Sequence, residues 1–408
     1  MREYVDKKKE EDIYELWREC FFDTAEYTDF YFRYKVVSNT IITLYHEDIL
    51  TSMLHLNPYR IRLGNREILS NYIVGVATKK TYRRRGLMRK ILTDALNDMY
   101  NKNMEFTYLM PAAEKIYYPY SFRYVYTQNR AKFRIENNDD LKKETNQLKH
   151  NIQLTFTPLT IYSEERVYEE LVNLANDLLP QNFDCYVIRD IDYYLELQAE
   201  MKSTGGELIL LYRKERIIGY YSYMVNGDEV EISECVVLPE EKVEAIKVIY
   251  YYFCEYLCHK KISNKDENDV EKLMVTFLET HFIKGLEKII SVDKLVKTPI
   301  IMARIVHLVE FVQHIKAKTA TSIILKVKDN DIKQNEGTYE LNFNPSGCEV
   351  KRTDKKEELT LSIAELTLLL FQGVKHKEIE TLYQSNSELE ERLSLIIPYS
   401  RLYINEIV

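Results

Sequence analysis

Arg83, Arg84, Arg85 and Arg89 surround a single glycine, Gly86, where an apolar stretch gives way to a helical pattern. Cations around a glycine that opens a helix suit a phosphate-bearing ligand. Backbone N–H groups converge in such a turn, the helix start carries partial positive charge, and guanidinium groups add to it. Glycine lets the backbone approach the anion without a Cβ in the way. The strand Ile68–Thr78 ends in Val76-Ala77-Thr78, the turn occupies 79–85, and a helix over 86–100 follows. Its apolar face is Met88, Ile91, Leu92, Ala95, Leu96 and Met99. An arginine-rich turn alone usually reads as solvated surface; between this strand and this helix it reads as an anion site.

The elements that must hold this turn fall into three units. In the first, a helix with an apolar stripe over Glu11–Phe22 precedes strands Thr40–Tyr45, Leu50–Leu56 and Tyr59–Leu63 and the longer strand 68–78. After the arginine turn and its helix come a short buried strand, Phe106–Met110, and a brief helix, Ala112–Tyr118, stopped by Pro119. The polar stretch Glu136–His150 reads as a linker. A second unit repeats the order with strand Gln153–Phe156 and helices around Glu165–Leu179 and Asp190–Met201. Strands Glu207–Tyr212, Ile217–Val225 and Glu229–Val237 and a helix over Glu241–Cys258 complete it. From about Ser291 an α+β pattern takes over. Strand Ile300–Ile305 and helix Val306–Ile315 lead into antiparallel strands at 322–328, 338–343, 349–353 and 358–361. Helices Ile363–Phe371 and Ser387–Ile397 close the chain. The expected domains are therefore 1–140, 150–290 and 291–408.

Bulk properties narrow the function classes. With 45% hydrophobic and 29% charged residues the chain is globular in composition. A net charge of -8 argues against a nucleic-acid partner. No apolar run reaches membrane-spanning length and the N-terminus has no secretory pattern, so a cytoplasmic protein without a membrane partner is expected. The six cysteines show neither disulfide nor zinc spacing. Cys254 and Cys258 lie one helical turn apart with His259 beside them, but Tyr250–Cys254 reads as a buried helix face, and no metal is expected.

Gly75-Val76-Ala77-Thr78 followed by Arg83–Met88 resembles the acetyl-CoA motif of the GNAT superfamily. Met88 departs from it, standing where Gly or Ala is usual. Three arginines, Gly86, Leu87, a large aliphatic residue and Arg89, with Ile116-Tyr117 downstream in Pro111–Tyr120, are similar to the enhanced intracellular survival (Eis) family of acetyltransferases. That resemblance implies tandem GNAT folds, each a mixed sheet flanked by helices (α/β), followed by a sterol-carrier-protein-like α+β domain. It is specific at 72–124 and again in the tail Tyr403–Val408, and architectural between them.

The resemblance also implies roles. Val76, Ala77 and Thr78 would pair through their backbone with the pantetheine arm of acetyl-CoA, the cosubstrate. Arg83, Arg84, Arg85, Gly86, Leu87, Met88 and Arg89 would hold its pyrophosphate, with Ala112 and Ala113 also touching it. Tyr117 would be the general acid and the terminal carboxylate of Val408 the general base. Direct acetyl transfer needs both, since the acceptor amine must lose a proton and the leaving thiolate must gain one. Among 33 tyrosines, Tyr117 is singled out by position alone. The second unit has Leu238-Pro239-Glu240-Glu241-Lys242-Val243 where its own turn would be, and its carboxylates would repel a phosphate. One cofactor site per chain is expected, with the second unit as scaffold and one wall of the acceptor cavity. Asp23 and Glu406 are the candidates for attracting a cationic acceptor near the entrance. The implied reaction is N-acetylation of a polycationic small molecule, such as an aminoglycoside, or of a lysine side chain, by a homo-oligomer, a hexamer in Eis relatives. The competing readings are an apolar-ligand binding module and an acetyl-CoA sensor without turnover.

Overall fold

A computed structural model describes residues 7–136, 139–263, 272–383 and 386–406. Helices α1 (Lys7–Cys20) and α2 (Ala25–Tyr34) open it. Ile13, Leu16 and Trp17 of α1 pack on Phe30 and Tyr31 of α2 and on Leu50, Met53 and Ala77 of the sheet. No helix was expected at α2: Glu26, Asp29 and Arg33 do mark one exposed face, but ten residues make under about three turns, too short for the period to stand out. Thr24 starts it, the hydroxyl accepting from the Tyr27 N–H at 3.2 Å.

Strands β1 (Thr40–His46), β2 (Ile49–Leu63) and β3 (Arg66–Thr78) form an antiparallel meander. β2 runs unbroken through Pro58, which lies between the β1 pairing, ending at Leu56, and a later pairing that starts at Ile61. α3 (Leu87–Asn101) buries the expected face, including Ile91, Leu92, Ala95, Leu96 and Met99. β4 (Phe106–Leu109) runs parallel to β3, α4 (Glu114–Tyr117) passes into a 3-10 turn over Tyr118–Tyr120, and β5 (Arg123–Glu136) follows.

Residues 139–151, expected within a linker, form helix α5 (Asp139–Asn151), packed against a later helix of the same unit. The second unit continues with β6 (Thr155–Pro158), α6 (Glu165–Asn182), β7 (Cys185–Val187), α7 (Ile191–Ser203), β8 (Glu207–Arg213), β9 (Arg216–Asn226), β10 (Glu229–Val237), α8 (Lys242–Ser263) and β11 (Lys272–Phe277). Cys254 is fully buried in the α8 core beside Phe253 and Leu257, a packing role.

β12 (Lys294–Ile305) differs from expectation. It was assigned to the third unit, yet it lies in the large sheet, antiparallel to both β4 and β5. The order across that sheet is β17-β7-β2-β3-β4-β12-β5-β11-β10-β9-β8-β6, with β1 on β2 and β17 (Leu402–Tyr403) from the tail. β11 pairs parallel to β10 as β4 does to β3, and β5 flanks β11 as β12 flanks β4. The two units thus repeat one mixed-sheet topology about the β12–β5 junction and share a continuous sheet.

The third unit has α9 (Leu308–Val312), β13 (Thr321–Lys328), β14 (Gly337–Asn344), β15 (Gly347–Arg352), β16 (Leu359–Ser362), α10 (Ile363–Gln372) and α11 (Ser387–Ser394). β16 pairs parallel to β13, not antiparallel as expected, because the chain crosses over after β15. A capping box between Ser362 and Glu365 starts α10. That helix is buried nearly all round, since it is held between the small sheet and strands β5 and β12. The fully buried Arg304 of β12 joins the units: it pairs with Asp329 at 2.5 Å and Asp331 at 2.8 Å and donates to the Tyr120 carbonyl at 2.7 Å.

Candidate active site

Among the described residues β3 and β4 pair only at Asn71–Thr107 and Tyr72–Tyr108, and no other strand lies beside the edge of β3 from Ile73 to Thr78 on that side. A bulge deepens the divergence. The β2 register slips between Met53 and His55, opposite Gly75, whose φ is +61°. A Cβ on Gly75 would lie 2.6 Å from Trp17 Cζ3 and 3.1 Å from His55 Cδ2, so packing as well as conformation requires glycine. Burial pushes His55 down to about 3, which makes it too weak a base to hold a proton near neutral pH.

Beyond the bulge opens a cleft of about 530 Å³. Val76, Ala77, Thr78, Arg83, Arg84, Gly86, Leu87, Met88 and Arg89 line it together with Cys20 and Phe21 from the end of α1. Arg84 (φ +66°) and Gly86 (φ +78°) are both left-handed, which folds the chain into a concave turn at the start of α3. No side chain among the described residues caps that start. Among the described residues no carboxylate pairs with Arg83, Arg84, Arg85 or Arg89. Arg83 Nε donates to the Thr78 carbonyl at 3.0 Å, and Glu19 braces the turn by pairing with Lys79 at 2.8 Å and accepting from the Lys80 N–H at 3.1 Å. This arrangement can hold a pyrophosphate at the helix start and an extended arm along β3.

The remaining cofactor candidates lie outside the cleft lining. Arg85 stacks over Tyr82 and donates to the Thr81 carbonyl at 3.2 Å. Ala112 is exposed, and Ala113 caps α4, its carbonyl accepting from the Ile116 N–H. Tyr117 is buried at the end of α4, edge-on to Phe122, between the cleft-lining residues Ile116 and Tyr120. Its hydroxyl has no hydrogen-bond partner among the described residues. Burial pushes its phenol up to about 12, so it remains a proton donor at neutral pH.

The tail enters the junction of the two units. β17 pairs parallel to β7, and the Asn405 side chain accepts from Tyr126 at 3.3 Å and Gln128 at 3.1 Å. Val408 lies outside the described residues. Glu406 is not at an open entrance as expected: it is buried, ion-paired to Arg189 at 2.9 Å and hydrogen-bonded by Tyr193 at 3.0 Å. The apolar tail carries it inside, where Arg189 compensates its charge. Asp23 is likewise engaged, accepting from Trp17 Nε1 at 2.9 Å.

Several residues at the sites were not singled out in the sequence. Cys20, Phe21, Tyr82 and Tyr120 line the cleft, beside Ile116 of the motif. At the junction a second cavity, of about 40 Å³, is lined by Lys35, Tyr59, Tyr193, Glu196, Glu200, Glu234, Asn405 and Glu406, among others. Glu196 and Glu200 share one face of α7 by their spacing of four, a signal the sequence does offer. Arg189, fully buried between Glu234 and Glu406, has no such signal.

Residues 3–125 match the acetyltransferase (GNAT) domain family and residues 305–404 the sterol carrier protein domain family. No curated protein matches the sequence. Among solved structures, a probable N-acyltransferase from Enterococcus faecalis V583 superposes with a TM-score of 0.74 at 18% identity, covering 99% of this chain and 98% of that one. A GCN5-related N-acetyltransferase from Anabaena variabilis ATCC 29413 gives 0.73 at 15% identity, with 99% and 98% covered. Eis1 from Mycobacterium abscessus gives 0.64 at 10% identity, with 100% and 99% covered. The chain thus combines an N-terminal GNAT acetyltransferase domain, a second GNAT-like unit and a C-terminal sterol carrier protein domain in a fold shared end to end with N-acetyltransferases.

Proposed function

We propose that this protein is an Eis-like N-acetyltransferase that moves the acetyl group of acetyl-CoA to a primary amine of a cationic acceptor, an aminoglycoside-like molecule or a lysine side chain. The observation that carries the reading is the uncapped start of α3, ringed by arginines without carboxylate partners, at the end of a strand whose edge is left unpaired. The turn would bind the pyrophosphate and the β3 edge the pantetheine amides. Tyr117 would protonate the leaving thiolate. The amine's proton would go to a carboxylate on the tail side, the resemblance implying that of Val408.

The second unit supports a single cofactor site. Its turn at Pro239–Glu241 holds two carboxylates, one of them paired with Arg213. The apolar-ligand alternative finds little support, since the cavity in the third unit bounded by Leu325, Phe343 and Leu369 among others holds about 10 Å³. That is no room for a lipid.

Thiol release from acetyl-CoA against a panel of amines tests the reading, run on the native chain and on one extended past Val408. Turnover with a cationic amine is expected, with loss in the extended chain. No turnover with any amine overturns the transferase, and full activity after extension overturns the terminal carboxylate. Size-exclusion chromatography with light scattering tests the proposed homo-oligomer.

A further inference from the structure

Four carboxylates line the small cavity where α2, β2, α7, β10 and the tail meet. Three are committed. Glu234 and Glu406 share Arg189, at 2.6 and 2.9 Å, and Glu196 pairs with Lys35 at 2.6 Å. Glu200 alone has no ion pair and no hydrogen bond to its carboxylate among the described residues. The cavity, at about 40 Å³, is too small for an acceptor molecule. A space of this size with carboxylates in its wall accommodates water, which needs roughly 10–15 Å³ and polar partners to bond. Asn405, which lines it, has a buried Nδ2 with no partner among the described residues.

The cavity also reaches toward the point where β3 and β4 part. Tyr59 lines it beside Lys35, which bonds its hydroxyl at 3.2 Å. The Tyr59 ring meets that of Tyr72 edge-on, 6.5 Å between centroids, and Tyr72 is the last β3 residue paired with β4 before the cleft opens.

We infer that this chamber is the proton outlet of the transfer reaction, with Glu200 as the relay group that takes up the acceptor's proton through water and releases it to solvent. The inference rests on the transferase reading and deepens it. The acceptor ammonium gives one proton to the tail-side carboxylate, from which it passes through water to a Glu200 oxygen. Its nitrogen then bonds to the thioester carbonyl carbon as the C–S bond breaks. The second N–H proton passes to the Tyr117 oxygen as that phenol's proton goes to the thiolate. The products are the amide and the free thiol, and one proton remains on Glu200 to be shed.

The groups facing Glu200 tune it for this exchange. Burial raises its carboxyl from 4.5 to about 7, helped by Glu196 and Glu406 and opposed by Lys35. Tyr27 of α2, Tyr59 of β2 and Glu234 of β10 complete the surroundings, with Arg189 and Tyr193 behind Glu234 and Glu406. A native state that holds a proton where the unfolded chain has lost it is favoured at low pH. The stability linked to Glu200 is therefore full below about pH 4.5 and is lost as pH rises through about 7.

The test uses the full chain and its variants Glu200→Gln and Glu200→Asp between pH 5 and 9, with acetyl-CoA and either 1,4-diaminobutane or kanamycin as acceptor. Glu200→Gln should lower kcat by about 10²-fold, leave KM for acetyl-CoA unchanged, and abolish the acid limb of the kcat profile. Glu200→Asp should keep that limb. In thermal melts the Tm advantage of Glu200→Gln over the native chain should widen from pH 5 to pH 8. An unchanged kcat profile in Glu200→Gln overturns the relay, and so does a Tm difference that does not vary with pH. Absence of turnover in the native chain overturns the transferase reading and this role with it, whereas normal turnover with either failure above overturns the relay alone.

Discussion

Tyr117 and the left-handed pair Arg84 and Gly86 carry the residue-scale predictions. Tyr117 combines a donor hydroxyl without a partner and a phenol that burial holds protonated, pushed up to about 12. Tyr117→Phe should lower kcat by about 10²-fold with little change in the acetyl-CoA dissociation constant, as read by steady-state kinetics beside calorimetry. Because its acidity is weakened, ionisation of this phenol should cause no loss of kcat up to about pH 9.5, and a drop centred near pH 8 would remove Tyr117 from the role. At Gly86 an added Cβ would meet nothing within 4 Å, so only the backbone resists substitution. Gly86→Ala should therefore cost about 1 kcal/mol in urea unfolding while weakening acetyl-CoA binding, because the turn must relax away from φ +78°.

At the scale of elements, the bulge in β3 is the feature on which the cleft depends. It turns the strand away from β4, and its glycine is confined on one side by Trp17 of α1 and on the other by His55 of β2. Gly75→Ala meets both a positive φ and a 2.6 Å approach to the indole. It should destabilise the protein by about 1–3 kcal/mol, more than Gly86→Ala, and a reversed order in matched denaturation curves would show that the α1 contact yields easily. β3, α3 and β10 were legible because each is long and regularly patterned: β10 runs Glu229–Val237 as read. α2 and β7 were not. The first is only ten residues long, its polar face reduced to Glu26, Asp29 and Arg33, and the second is three residues long, a strand only because β2 and β17 flank it.

For the molecule as a whole, one cofactor per chain and a rigid union of three units are the testable consequences. Calorimetric titration with acetyl-CoA should give a stoichiometry near one per chain, and Arg84→Glu should remove that binding. An equivalent still bound in Arg84→Glu would mean that the Pro239 turn binds after all. Arg304 ties β12 to the loop of Asp329 and Asp331 and to the Tyr120 carbonyl, with none of its side chain exposed. Arg304→Met leaves two buried carboxylates without their cation and should cost about 3–5 kcal/mol, read as a shift in the denaturation midpoint.

The sequence by itself determined what depends on local chemistry. A glycine among arginines between a strand and a helix points to an anion site, and the structure lines one cleft with Arg83, Arg84, Gly86 and Arg89; Glu240 and Glu241 argue against the same ligand at the second turn. The repeat of architecture and the third unit were also readable, because strand and helix periods are written into neighbouring residues. Only the tertiary structure decided which distant residues share a charge environment. β12 left its expected unit because its apolar residues Ile301, Met302, Ala303 and Ile305 are fully buried where the two halves meet. Glu406 went from entrance to interior because the apolar tail joins the sheet and Arg189, far away in sequence, compensates it. The unpaired carboxylate of Glu200 is visible only after every other carboxylate of its cavity has found a partner, which local sequence does not encode.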